Sequence, residues 1–241
     1  MAARRVARDW RLGRLAPVFD ATLPDRPARP AEPELLPPNR MAKRGKAGSA
    51  RARIALWHAI AHIEFVAIDL ALDIAARFGA DMGDGFVGDF LGVAAEEAMH
   101  FALIERHLRA QGSHYGALPA HDGLWEAAAE TTHDVAARLA VVPMVLEARG
   151  LDVTPATIVR VRAQGDERGA RILERILDDE IRHVAFGASH FSKVCQIRSL
   201  DPDSYWQMLV RRHFRGALKP PFNDSARESA GLSREVYTVL A

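Results

Sequence analysis

Apolar residues recur at three- and four-residue spacing from about Ala50 to Cys195, the period of helices that bury one face. The pattern predicts long helices over 50–78, 84–111, 134–149 and 166–195. Gly79–Gly83 stops the first and Gly112 ends the second; 112–121 is then a loop, and 122–131 a short crossover helix. Gly150 is the expected terminator of the third, and a break there would also open a path for oxygen or substrate. Thr154-Pro155 looks like a cap followed by proline at the first helical position, restarting a short helix to about Gln164. One more helix is expected over 203–216. No period-two run of β-branched residues competes with this pattern. The expected fold class is all-α, a four-helix bundle with flanking extensions.

Seven prolines between Pro17 and Pro38 rule out helix or central strand there. The expected organisation is an extended arm over 1–48, a bundle over 49–197, and a packed helical extension over 198–241. No apolar run approaches the length of a membrane span, and no secretory signal is apparent. The single cysteine, Cys195, excludes an internal disulfide framework and a zinc site of several thiolates; a cytoplasmic setting follows as the expectation.

Charge is unevenly spread. Residues 1–53 hold 13 Lys/Arg and 5 Asp/Glu, while the whole 241-residue chain has a net charge of +1. A basic arm on an acidic body suits an anionic partner such as RNA or a membrane, or an arm that lies on its own body. The arm lying on its own acidic body is the favoured reading, with tRNA or another anion the alternative partner and no membrane expected. A transit peptide is the third reading, and Asp9 and Asp20 count against it.

The apolar stripes carry an anomaly. Glu64 lies among Trp57, Ile60, Ala61, Ala67, Ile68 and Ala71. Glu97 lies among Phe90, Val93, Ala94, Phe101 and Ile104. Glu147 follows Ala140 and Met144, and Glu180 follows Leu173, Ile176 and Leu177. A bare carboxylate in a low-dielectric interior costs several kcal/mol or takes up a proton, and neighbouring carboxylates repel. Such groups must be paired, protonated or bound to metal. His100 and His183 each stand three residues after a glutamate, on the same helix face. Four carboxylates carry −4, which two divalent ions balance. The separations 64 to 97 and 147 to 180 are both 33 residues, with midpoints beside Gly79–Gly83 and Gly165. Two antiparallel hairpins would therefore set Glu64 opposite Glu97 and Glu147 opposite Glu180.

A lone Glu-x-x-His is a weak motif. Glu130-Thr131-Thr132-His133 is a third instance, and His133 precedes Glu147 by a rise of roughly 21 Å along a helix; it is read as a decoy. His58 and His62 fall off the ligand face and are expected to be hydrogen-bonded. Asp69 and Asp73 are expected to cap, pair or face solvent. Arg182 is expected to pair with Asp179 or a neighbour. The tyrosines, Tyr115, Tyr205 and Tyr237, fall in loops or the tail, which disfavours a tyrosyl-radical generator.

One glutamate from each of two helices and Glu-x-x-His from each of two others is the ligand pattern of ferritin-like di-iron carboxylate proteins. The sequence resembles that superfamily over about 50–195. Asp179-Glu180-Ile181-Arg182-His183 looks like the signature of bacterial multicomponent monooxygenases. That resemblance implies that Asp179 orients His100 and Glu96 orients His183. His58–Glu64, Glu147–Asp152 and Pro220-Pro221-Phe222-Asn223 resemble, more specifically, a widespread ferritin-like family of unknown function, with tRNA isopentenyl-adenosine hydroxylase a distant cousin.

The expected function is an O₂-activating dinuclear enzyme that hydroxylates or oxidises an organic substrate. Its metal is expected to be iron, with manganese and zinc as alternatives. Glu97 and Glu180 would bridge the ions, Glu64 and Glu147 would be terminal, and His100 and His183 would bind one ion each. No flavin or iron–sulfur motif appears, so electrons would come from an external donor. Two alternatives stand beside it: a ferroxidase or iron-handling protein, and a metal-stabilised module that binds RNA or protein. A small homo-oligomer is compatible with the first reading, whereas iron storage would usually come with a large shell.

Overall fold

The computed structural model describes residues 2–41 and 49–241. Apart from isolated β-bridges, regular structure among the described residues is helical, so the chain has the expected all-α fold, consistent with a helical bundle. Two compact units divide at residue 126/127. The N-terminal segment belongs to the unit of the first hairpin, where it packs on the helix Asp84–Ala110 and the loop after it, and the C-terminal extension to the unit of the second.

In the first unit the chain does not begin extended. Ala2–Arg11 is a helix, α1, a correction to the expected arm: the prolines begin only at Pro17, and nothing before them opposes a helix. Buried Ala3 and Ala7 let α1 lie close to its neighbour. The Trp10 indole nitrogen comes within 3.1 Å of where Gly88 would carry a Cβ. The proline-rich stretch is extended, as expected, and docks: Leu36 N–H donates to the Ala120 carbonyl and Ala120 N–H to that of Glu34. The last part of the expected arm, 42–48, lies outside the described residues.

Two long helices follow, α2 (Ala50–Met82) and α3 (Asp84–Ala110). Ser49 starts α2, its hydroxyl accepting the Ala52 N–H at 3.1 Å. Gly83 alone joins the two helices, at φ +81°, a conformation that costs an L residue energy and glycine none. At Gly79 an added Cβ would stand 2.6 Å from Val87 and 2.7 Å from the Phe19 ring, so a side chain there would force these neighbours to shift. The crossover helix, α4 (Gly123–Ala129), falls at the division between the units.

In the second unit Asp134 caps α5 (Val135–Val141), accepting the Ala136 N–H at 2.7 Å. A π-helical turn, Val142–Glu147, follows and leads directly into α6 (Ala148–Ala163). Pro143 supplies a reason for the wider turn: its ring clashes with a regular helix and it has no N–H to donate. The expected end at Gly150 and restart at Pro155 are both overturned, for α6 runs through them. The carbonyl that Pro155 leaves without its helical donor is that of Leu151, and Asn223 Nδ2 donates to it at 3.1 Å.

Gly165, at φ +80°, turns the chain into α7 (Glu167–Arg198). The helices α8 (Pro202–His213), α9 (Asp224–Ser229) and α10 (Arg234–Thr238) form the extension. Trp206 of α8 donates to the Ala140 carbonyl at 3.2 Å. Arg227 of α9 is buried and grips Asp152 of α6 with Nε at 2.8 Å and Nη2 at 2.7 Å. The Phe222 and Tyr237 rings lie 5.1 and 4.5 Å from that guanidinium. Arg227→Met leaves Asp152 in an apolar setting without its bidentate partner. The expected loss is about 3–5 kcal/mol, read from equilibrium urea unfolding, and adding Asp152→Asn should recover part of it.

Candidate metal centre

The one-residue turn at Gly83 fixes the register of α2 against α3, and with it the first half of the expected ligand set. His100 Nδ1 lies 3.3 Å from Glu64 Oε2 and 3.4 Å from Glu97 Oε2. Glu64, Glu97 and His100 each offer a ligand atom within 4.8 Å of the other two. His100 is 0% exposed and Glu97 1%. The equal spacing about the turn thus holds for Glu64 and Glu97.

Electrostatics follow from that burial. Glu64 is pushed up to about 7, first by burial and then by the charge of Glu97. Burial opposes a charge on His100, but hydrogen bonds to Glu64 and Glu97, and their charges, push it up to about 11. The metal-free cluster therefore holds protons that a divalent ion must displace.

The second unit carries the other half. His183 is fully buried, its Nδ1 3.5 Å from Glu180 Oε2. Glu147 ends the π-helical turn. A Cβ on Gly187 would meet the Pro143 ring at 2.4 Å, so positions 143 and 187 stand opposite each other, equidistant from Gly165. Counted from Gly165 at the centre of that pairing, Glu147 falls nearer the level of His183 than of Glu180, the residue it is expected to face. Pi-helical turns frequently mark functional sites, and here the turn ends on an expected ligand.

Asp179 is buried and held on both sides by its own helix, by Arg175 Nε at 2.7 Å and Arg182 Nη2 at 2.8 Å. The expected Arg182 pairing is thus present. Arg175 was not anticipated, though its spacing of four residues from Asp179 was legible. Glu96 is half-buried on α3 beside Glu97.

Residues set aside from the ligand set have other work. His62 Nε2 faces the His121 carbonyl at 3.1 Å and Nδ1 faces the Tyr115 hydroxyl at 2.9 Å. A carbonyl only accepts, so Nε2 carries the proton and Nδ1 accepts from Tyr115. Burial lowers His62 to about 4, which keeps this arrangement neutral. His58 Nε2 accepts from Gly116 N–H at 3.0 Å. The two histidines thereby fasten the loop after α3 to α2. Asp73 pairs with Arg77 at 2.7 Å and Asp69 with Arg29 at 3.6 Å. The residues of the expected decoy have other partners: Glu130 pairs with Arg215 at 2.7 Å, and the His133 ring lies 5.2 Å from that of His213.

The model of the family described as "Protein of unknown function (DUF455)" matches residues 1–238. The chain belongs to the DUF455 family. It is also similar to a Haemophilus influenzae protein named "Uncharacterized protein", with 42% identity over 213 residues that cover 86% of this chain and 74% of that one. No solved structure matches the chain. The DUF455 match spans both halves of the expected ligand set and the N-terminal segment.

Two glycines near Glu147 separate packing from propensity. Gly187→Ala forces a Cβ into Pro143 and should destabilise by about 1–3 kcal/mol, although alanine is the better helix former. Nothing stands within 4 Å of a Cβ on Gly150, so Gly150→Ala should stabilise by up to about 1 kcal/mol. Thermal unfolding of the two variants should shift in opposite directions.

Proposed function

We propose that this DUF455 protein is a non-haem dinuclear metal oxidoreductase of ferritin-like ancestry, with iron as its metal. It would use O₂ to hydroxylate or oxidise an organic substrate. The observation that carries the reading is the buried convergence of Glu64, Glu97 and His100. The donor set fits: hard carboxylate oxygens with an imidazole nitrogen suit iron or manganese.

The reading joins both halves on chemical grounds. Glu64, Glu97 and His100 in one unit mirror Glu147, Glu180 and His183 in the other, and the full set of four carboxylates balances two divalent ions. Glu64, Glu97, Glu147, Glu180, His100 and His183 would together hold the two ions, the carboxylates balancing their charge and the imidazoles completing the donor set. Asp179 and Glu96 are assigned to hold His100 and His183 in the ligating tautomer. When bound, a ferrous pair supplies the electrons that reduce O₂. The chain's own part is to position the carboxylates and to exclude water; buried Val93, Ala94 and Ile104 line the α3 stripe that carries Glu97. Reducing equivalents come from an external donor.

Protein purified without chelators should contain about two metal ions per chain. Ferrous loading should raise the melting temperature, with about 2.7 kcal/mol gained at a hundredfold excess over the dissociation constant. The loaded protein should consume O₂, and Glu97→Ala should lose both metal and stabilisation. A wild-type protein that binds neither iron nor manganese overturns the reading. Rapid ferrous oxidation by a large closed shell in size-exclusion chromatography would favour iron handling instead.

A further inference from the structure

The arginines of the N-terminal segment divide into two sets. Arg26 pairs with Asp122 at 2.8 Å, and Arg29 lies 3.6 Å from Asp69 and 3.7 Å from Asp122. These lie on acids of the body. The second set is on and just after α1: Arg4, Arg5, Arg8, Arg11 and Arg14, all exposed. Asp9 engages Arg8 at 3.1 Å and Arg14 at 3.9 Å. Arg4, Arg5 and Arg11 make no ion pair with a described residue. The helix is docked through Ala3 and Ala7, so its guanidinium groups are held outward.

The same short segment exposes large apolar side chains. Val6, Leu12, Leu15, Val18 and Phe19 are all exposed, Leu12 by 54% and Val18 by 71%. Most of the chain buries such groups, whereas here they alternate with arginine over fourteen residues. No helix among the described residues is long and apolar enough to cross a membrane, so this segment is not a span. It has instead the composition of an interfacial element, with cations for headgroups and aliphatic chains for the acyl boundary.

We propose that α1 and residues 12–19 form a peripheral docking surface for an anionic lipid bilayer. This departs from the sequence-based expectation of no membrane partner and is independent of the metal centre. Charge complementarity selects an anionic partner. The aliphatic chains select a bilayer over RNA, which single-strand readers hold by stacking bases on aromatic rings. Here Trp10 is half-buried against Gly88, the Phe19 ring, though partly exposed, lies against Gly79 of α2, and the exposed groups at 6, 12, 15 and 18 are aliphatic.

The test is sedimentation of the full chain with vesicles of phosphatidylcholine alone and of phosphatidylcholine plus phosphatidylglycerol. Binding is expected on the anionic vesicles only and should weaken with salt. Arg4→Gln with Arg5→Gln should reduce it by roughly fivefold per arginine. Leu12→Ser with Val18→Ser should also weaken it at unchanged charge, and unchanged far-UV circular dichroism checks that each variant folds. No sedimentation with anionic vesicles overturns the proposal, as does binding indifferent to the Leu12 and Val18 changes. Salt-dependent binding of tRNA without vesicle binding overturns it in favour of a nucleic-acid surface.

Discussion

The constraint on which the structure depends is carboxylate in an apolar interior. Glu64 and Glu97 lie on the inner faces of α2 and α3, with His100 against both. Hydrophobic burial assembles the helices, yet these side chains oppose it, because each charge loses its water. The metal-free molecule offsets this by sharing protons within the cluster, which is why His100 is pushed up and Glu64 rises to about 7. A cation does the same with greater charge. The features that make the apo protein costly are those that make a metal centre favourable.

Backbone irregularity is concentrated beside the second set of expected ligands. Pro143 is accompanied by a π-helical turn that ends at Glu147, and Gly187 is the space Pro143 needs on α7. A few residues on, Pro155 survives inside α6 because Asn223 reaches back to the carbonyl it leaves open. Arg227 and Asp152 then fasten the extension to the same helix. The extension thus completes α6 as much as it covers it, and the Pro220–Asn223 segment has a structural reason to accompany the Glu147–Asp152 segment.

The polar residues around the first set serve a different end. His58, His62 and Tyr115 tie the loop after α3 to α2, with His62 held neutral by burial. A neutral imidazole, His62, and an expected ligand, Glu64, thus occupy one helix two residues apart. Position around the helix, rather than residue type, separates the two roles.

Much of this was legible in the order of residues. Helical periodicity located α2, α3 and α7 to within a few positions, since a helix that buries one stripe repeats it. The equal separations of Glu64–Glu97 and Glu147–Glu180 marked hairpins because antiparallel helices pair residues equidistant from a turn. Off-face histidines and the Glu130–His133 decoy were separable by angle and distance alone. Tertiary structure decided what depends on partners distant in sequence. Gly150 and Pro155 are helix breakers by local propensity, and they sit inside α6 because space and Asn223 permit it. Helix α1 exists because alanines at 3 and 7 find a surface on α3. The Arg227–Asp152 pair spans 75 residues, and no local period announces a contact made only when a tail folds back. Local energetics are written along the chain, whereas satisfaction of buried polar groups is settled by whatever packing brings to them.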